Sequence, residues 1–272
     1  MTRAAASDGT ILETFERLAL DAGKAVMKVF HTDMTVFEKS DSSPVTEADR
    51  AAEKIILKGL RAAFPEIPCV AEEEASAGVV PPPLDGLFFL VDPLDGTREF
   101  VNRKQDFTVN IALVRNGIPE IGVVYAPCSG HFYSGRPDLA EKLDISEDGT
   151  IEKRRKIHVR EGQVPLTILA SRSHRTPETD AFIRKIEAAE IISVGSSLKF
   201  CLIASGEADI YPRFGRTMEW DTAAGDAILR AAGGSTRTLD GKPLQYGKRD
   251  LATDVDFVNP YFVARGNIVE AG

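Results

Sequence analysis

The residue types best suited to chemistry concentrate in one stretch, Asp92-Pro93-Leu94-Asp95-Gly96-Thr97-Arg98. Two aspartates three residues apart run straight into a glycine and a threonine, and an apolar run, Leu87 to Val91, delivers them. Carboxylates suit a hard cation, and the outward amides of a helix start suit a phosphate. The stretch therefore reads as metal-assisted phosphate chemistry. Two further acids hold comparable positions. Glu72 follows the short apolar Cys69-Val70-Ala71, and Asp221 follows Trp220 at the head of a periodic segment, Thr222 to Ala232. Two carboxylates about 4 Å apart repel by roughly 4 kcal/mol at an effective dielectric of 20, so four share a site in ionised form only around cations. Oxygen-only donors select Mg2+, Mn2+ or Ca2+. Two such ions would bracket the attacking water and the leaving oxygen of a phosphoryl transfer. A hydroxyl held by a carboxylate can orient that water, and Thr97 with Asp49 is the candidate pair.

These groups need a scaffold. The run from Leu87 reads as a buried strand. Pro93 cannot donate to a ladder, so the strand is expected to end at Asp92, with Asp95 capping a following helix. Phosphatases that carry Asp-x-Asp-Gly-Thr with a nucleophilic aspartate do not fit, because the spacing here is three and the period that places both carboxylates on one face is broken. Asp49 lies in the first turn of a helix capped by Thr46, with Ala48, Ala52, Ile55, Gly59, Leu60 and Ala63 on one face and Pro65 past its end. An earlier helix starts at a Thr10/Glu13 capping box and extends to about Phe30. Met34 to Lys39 reads as a short strand, Ser40 to Pro44 as a loop, and Ala75 to Pro83 as an excursion. Phe107 to Val114 and Pro119 to Tyr125 form a hairpin around Asn116-Gly117, and a strand near His131 to Ser134 follows.

Pro137 to Lys156 is charged and aperiodic, which sets a domain boundary: residues 1–140 carry most of the acids, and 141–272 carry Asp221. The basic run Lys153 to Lys156 reads as a solvated edge. Strands at Leu166–Ala170, Ile191–Val194 and Ala208–Tyr211 then alternate with helices at Pro177–Ala188, Ser197–Ser205 and Thr222–Ala232, an α/β layer pattern. Ser171-Arg172-Ser173-His174 and Gly195-Ser196-Ser197-Leu198-Lys199 both follow strand ends, where a ligand at the sheet edge would be met.

Composition narrows the field. At 272 residues, 43% hydrophobic and 27% charged, the chain has globular values and room for a large core. A net charge of −8 argues against a nucleic-acid polymer or an anionic membrane as partner. Cys69, Cys128 and Cys201 lack zinc or disulfide spacing, no run approaches membrane-spanning length, and the first ten residues have no signal-peptide core, so a cytoplasmic protein is expected.

Taken together, Asp92-Pro93-Leu94-Asp95-Gly96-Thr97, Glu72-Glu73 and Trp220-Asp221-Thr222-Ala223-Ala224-Gly225 resemble the inositol monophosphatase superfamily. Arg98-Glu99-Phe100, the Ser171 and Gly195 segments and Tyr211-Pro212-Arg213-Phe214-Gly215 resemble its CysQ-type 3'(2'),5'-bisphosphate nucleotidases, where inositol monophosphatases typically show Thr-Asn-Phe after Asp-Gly-Thr. The resemblance implies a layered α/β/α/β/α sandwich with the metal site between its halves. Glu72, Asp92 and the Leu94 carbonyl would hold one Mg2+, and Asp92, Asp95 and Asp221 a second, with Glu72 touching a third, loosely held ion. Asp49 and Thr97 would activate the water, while Asp95, Gly96, Thr97 and Arg98 receive the scissile phosphate. Ser171, His174, Gly195 and Lys199 would contact a nucleotide bisphosphate, with Arg213 a weaker candidate for the retained phosphate. The implied reaction converts adenosine 3',5'-bisphosphate, a by-product of sulfate activation, to AMP and phosphate, in a monomer or homodimer. Two alternatives stay open: an inositol or sugar phosphatase, which would not need the Ser171/His174 and Gly195/Lys199 loops, and a non-catalytic metal- or nucleotide-binding module.

Overall fold

The apolar run at Leu87 does not stop at the proline that follows it. In the computed structural model, which describes residues 6–32, 36–38, 44–162, 164–186 and 189–268, the strand continues through Pro93 to Asp95. The chain opens with α1 (Asp8–Phe30), β1 (Val36–Glu38), β2 (Pro44–Thr46), α2 (Glu47–Ala63), β3 (Cys69–Ala71) and α3 (Glu72–Ser76). Then come β4 (Leu87–Asp95) and α4 (Thr97–Val101). A meander follows: β5 (Thr108–Arg115), β6 (Ile118–Ala126), β7 (His131–Arg136), β8 (Leu139–Ile145) and β9 (Ile151–Lys156). The remainder is β10 (Thr167–Ser171), α5 (Pro177–Ile183), β11 (Glu190–Val194), α6 (Leu198–Ala204), β12 (Ile210–Arg213), α7 (Ala223–Ala231), β13 (Ser235–Thr238) and β14 (Phe262–Arg265).

β3 to β9 form a seven-stranded sheet in chain order, with β3 parallel to β4 and the rest antiparallel. A five-stranded sheet has the order β11-β10-β12-β14-β13. Strand alternation decides what lies on each face. Phe89, Val91, Val109, Ile111 and Leu113 pack with α1 and α2, whereas Phe88, Leu90, Ala112 and Val114 pack with α6 and α7. Leu169, Tyr211 and Phe262 reach α6 and α7 from the five-stranded sheet, and Ile168, Ala170 and Val263 on its other face join Ile183 of α5. The order helices, sheet, helices, sheet, helix is the five-layered sandwich expected above.

Several local expectations hold. Thr46 caps α2 in a full capping box, and the hairpin turn has positive φ at both Asn116 and Gly117, as its tight form requires. Others are corrected. Ser7, not Thr10, caps α1, accepting from the Thr10 amide at 3.2 Å. Gly96, at φ 92°, takes the cap position of α4 in place of Asp95. α5 ends at Ile183, short of the expected Ala188, and residues 187–188 lie outside the described set. Of the strand expected at Met34 to Lys39, Val36–Glu38 is present, while Met34, Lys39 and the expected loop residues Ser40 to Ser43 lie outside the described residues.

Pro137 to Lys156 is not irregular: it supplies β8 and β9, so the N-terminal sheet runs past residue 140 to Lys156. Its two arginines are paired. Arg154 pairs with Glu16 at 2.6 Å and Arg155 with Asp144 at 2.9 Å, so the basic run is a charged sheet edge remote from the cleft described below. Among the described residues, no helix is long and apolar enough to cross a membrane.

Candidate active site

One irregularity in β4 builds the acidic cluster. The ladder to β5 pairs Asp92 with Asn110 and Asp95 with Thr108, three steps on one strand against two on the other. In a regular strand, three steps place side chains on opposite faces; the extra residue of this bulge returns both carboxylates to one side. Pro93 fits there because a bulge leaves an amide out of the ladder. β3 runs parallel beside β4 with Val70 opposite Leu90 and Ala71 opposite Val91, so its next residue, Glu72, arrives beside Asp92. Asp221 comes from the turn before α7, where its Oδ2 accepts from the Met218 amide at 2.9 Å.

The convergence shows in the titration of these groups. Burial, then the charges of Glu72, Asp95 and Asp221, holds the Asp92 carboxyl well above the usual carboxylate range. Burial, then Asp95 and Glu72, does the same to Asp221. Asp95 is also raised by burial, against the opposing pull of Lys199 and a hydrogen bond from Ser197. Among the described residues, no three acidic, histidine or cysteine groups stand as a preformed cage. Instead, the oxygens take local donors: Asp92 Oδ1 accepts from the Leu94 amide at 3.0 Å, and Asp95 Oδ2 from Ser197 Oγ at 2.7 Å. A divalent cation fits this donor set. It would replace mutual repulsion with attraction and is matched by hard oxygen donors alone.

The expected water-orienting pair is brought together across 48 positions of sequence. Thr97 Oγ1 lies 3.1 Å from Asp49 Oδ1 and 3.1 Å from the Leu94 carbonyl. A hydroxyl has one proton to give. Donated to Asp49, it leaves the Leu94 carbonyl free for a cation and the Thr97 oxygen free to accept. Asp49 is held from its other side, because its Oδ2 accepts from the Thr46 amide at 2.7 Å and the Thr46 hydroxyl at 2.8 Å. The bond that caps α2 thus also fixes the carboxylate that faces Thr97. Gly96 is needed beside it: besides its positive φ, a Cβ there would stand 2.9 Å from the Asp106 carbonyl.

Glu72, Asp95, Gly96, Thr97 and Asp221 line a cleft of about 790 Å³ together with Arg98, Ser171, His174, Gly195, Lys199 and Arg213, while Asp49, Asp92 and Leu94 are buried beside them. All the expected site residues therefore meet at one place, though not all in the expected state. The Gly195 amide is already given to Asp106 Oδ2 at 3.1 Å, so that residue contributes close approach rather than a donor. His174 keeps an exposed edge at the rim, yet the surrounding protein, with Arg213 and Arg98 nearby, pushes it down to about 4 and so keeps it neutral at pH 7. Lys199 is buried, donating to the carbonyls of Ser196 and Val194 with its ammonium 5.0 Å from the centre of the Tyr211 ring. Arg213, ranked as a weaker candidate above, is buried in the cleft wall, with Nη2 on the Arg216 carbonyl at 2.8 Å and Nε without a partner among the described residues. Ser197 was missed as a site residue. It joins the halves, donating to Asp95 Oδ2 or to the Asp221 carbonyl at 2.6 Å and accepting from Asn110 Nδ2 at 2.9 Å. Its only sequence signal was its place in the loop after a strand.

The chain matches the model of the inositol monophosphatase family over residues 8–259. It is 44% identical over 254 residues to the 3'(2'),5'-bisphosphate nucleotidase CysQ of Escherichia coli, covering 93% of this chain and 98% of that one. The protein of the same name from Buchnera aphidicola is 42% identical, with 93% of each chain covered. Among solved structures, CysQ of Bacteroides thetaiotaomicron superposes with a TM-score of 0.77 at 37% identity, covering 95% of this chain and 97% of that one.

Proposed function

The chain belongs to the inositol monophosphatase family, and on that premise we propose that it is a metal-dependent 3'(2'),5'-bisphosphate nucleotidase that converts adenosine 3',5'-bisphosphate to AMP and phosphate. The observation that carries this reading is that the cleft holds both a cluster of acids and a pair of buried cations. The acids Glu72, Asp95 and Asp221, with Asp92 and the Asp49–Thr97 pair beside them, share the cleft with the buried cations Lys199 and Arg213. A substrate with one phosphate to lose and one to keep matches both groups at once. An inositol monophosphate would leave the cationic wall without an anion.

Glu72, Asp92 and the Leu94 carbonyl would hold one Mg2+, and Asp92, Asp95 and Asp221 a second. Cations held by these residues would supply charge neutralisation of the scissile phosphate and of the leaving oxygen and would favour ionisation of a water. Asp49 accepts the Thr97 proton, so the Thr97 oxygen holds the attacking water by one of its hydrogens. Gly96, Thr97 and Arg98 border the place where the phosphate is received, and Lys199 and Arg213 bind the phosphate that stays. Hydrolysis consumes one water, forms a bond from its oxygen to phosphorus and breaks the bond between phosphorus and the 3' oxygen, which takes a proton to give inorganic phosphate and a 3' hydroxyl.

Phosphate release from adenosine 3',5'-bisphosphate, compared with inositol 1-phosphate at equal concentration and with Mg2+, is expected to favour the bisphosphate by about tenfold or more, a difference of about 1.4 kcal/mol. The reverse preference would move the assignment to an inositol or sugar phosphatase. The pH profile provides a second check. Burial brings the Lys199 ammonium down to about 8, with Asp95 opposing. Below that pH the side chain is charged and can hold a phosphate; above it the charge is lost. For the bisphosphate, kcat/KM should therefore fall as pH rises through about 8, a limb absent from inositol 1-phosphate hydrolysis and from the Lys199→Met variant. A profile flat to pH 10 for the bisphosphate would remove Lys199 from phosphate binding.

A further inference from the structure

Two carboxylates in the cleft region serve neither the metal cluster nor the water. Glu99 lies in α4, two residues beyond Thr97, and is 4% exposed. Its Oε1 accepts a hydrogen bond from Ser173 Oγ, 74 positions later in the chain and just past the end of β10. Asp106 lies just before β5. Its Oδ2 accepts from the Gly195 amide at 3.1 Å and pairs with Arg172 Nη1 at 2.5 Å. These contacts cross from the seven-stranded half to the five-stranded half. They tie the segment that follows Thr97 to both loops that border the nucleotide side of the cleft, Ser171–His174 and Gly195–Lys199.

The fit is close. A Cβ on Gly195 would stand 2.8 Å from the Asp106 carbonyl and 3.1 Å from Glu99 Cγ, so this loop lies directly against both acids. Both also favour the charged form of Lys199, and Glu99 favours protonation of His174. They thus act on position and on charge together. A buried carboxylate that takes its hydrogen bonds from the opposite half of the molecule fixes the distance between halves more sharply than apolar packing does, because hydrogen bonds are short and directional.

We propose that Glu99 and Asp106 are positioning residues that set the separation between the scissile-phosphate segment and the nucleotide-side loops, so that recognition of a substrate spanning both depends on them while hydrolysis of a single phosphate ester does not. The inference rests on the nucleotidase reading. It also accounts for the triplet Arg98-Glu99-Phe100 after Asp-Gly-Thr: the acid is there for its partner in the other half.

Glu99→Ala is expected to raise KM for adenosine 3',5'-bisphosphate about tenfold, the size of one hydrogen bond to a charged group. Its kcat should stay within about threefold, and its hydrolysis of inositol 1-phosphate should match that of the unaltered protein to the same margin. Glu99→Gln keeps an acceptor for Ser173 and should restore KM to within about threefold, which separates positioning from simple loss of folding. Ser173→Ala should reproduce the Glu99→Ala effect, and the double variant should add nothing further. An unchanged KM in Glu99→Ala, or an equal fall in kcat on both esters, would overturn the proposal. An unaltered protein that prefers the inositol ester would instead overturn the nucleotidase reading, a result visible before any variant is made.

Discussion

Replacing Asp92 with Asn is expected to stabilise the metal-free protein while abolishing its activity. Asp92 is 1% exposed, and its carboxyl is held well above the usual range by burial and by the charges of Glu72, Asp95 and Asp221. An amide of the same shape keeps the packing and relieves that repulsion. Release of such strain typically contributes about 1–3 kcal/mol, and each kcal/mol moves the midpoint by roughly 2–4 °C in a chain of this size. The same change takes an anionic donor from both proposed Mg2+ positions, so the loss of rate should be at least about 100-fold. Calorimetry with chelator and again with Mg2+ separates the two effects. The unaltered protein should gain stability from Mg2+ by mass action, about 2.7 kcal/mol at a hundredfold excess over Kd, and the variant should gain little. Metal-dependent turnover in the variant, or a chelated variant that melts below the chelated parent, would refute the assignment of Asp92 as the shared donor.

Thr97→Val should leave the fold in place and cut kcat by roughly 10²–10⁴, the range for removal of a positioned proton acceptor. Valine has nearly the volume of threonine, and Thr97 sits in the first turn of α4, where the side chain's contacts are Asp49 and the Leu94 carbonyl. KM should change little, because the hydroxyl is expected to hold the water rather than the substrate. Asp49→Asn should match the loss in kcat but also cost about 1 kcal/mol of stability, since its Oδ2 closes the capping box with Thr46. Combined, the two changes should lower kcat scarcely further than either alone, because they act as one unit. Full turnover by Thr97→Val in single-turnover measurements would place the water elsewhere.

How much of this was legible along the chain depends on how local its cause is. Asn116-Gly117 between alternating apolar residues specified a hairpin because only such residues take its positive φ values cheaply. Thr46 specified a helix start because a cap bond closes within one turn, and the structure adds Asp49 to it as a capping box. β8 and β9 were not legible. They lie at an edge where one face meets water, so their charged residues obscure the alternation, and the pairs that settle them, Arg154 with Glu16 and Arg155 with Asp144, join separate segments. β13 and β14 were missed for a related reason. Each is short and is paired chiefly by the partner opposite it, Thr236 to Ala264 and Arg237 to Val263.

Pro93 shows the limit most clearly. Local rules end a strand there, and they hold for a regular strand. The ladder with β5 admits a bulge instead, and the bulge builds the acidic cluster, since it returns Asp92 and Asp95 to the same side. By itself, then, the sequence determined the inventory: hard carboxylate donors, a hydroxyl with a carboxylate to hold it, and basic and small residues at strand ends. Only the tertiary structure decided how they meet. It set the parallel register that brings Glu72 beside Asp92, the packing of α2 that brings Asp49 to Thr97, and the crossing ties of Ser197, Glu99 and Asp106 that join the two halves. The physical reason is that donor type is a property of one residue. Distance between residues 49, 72, 97 and 221 is set by sheet register and helix packing, which leave no trace at any single position.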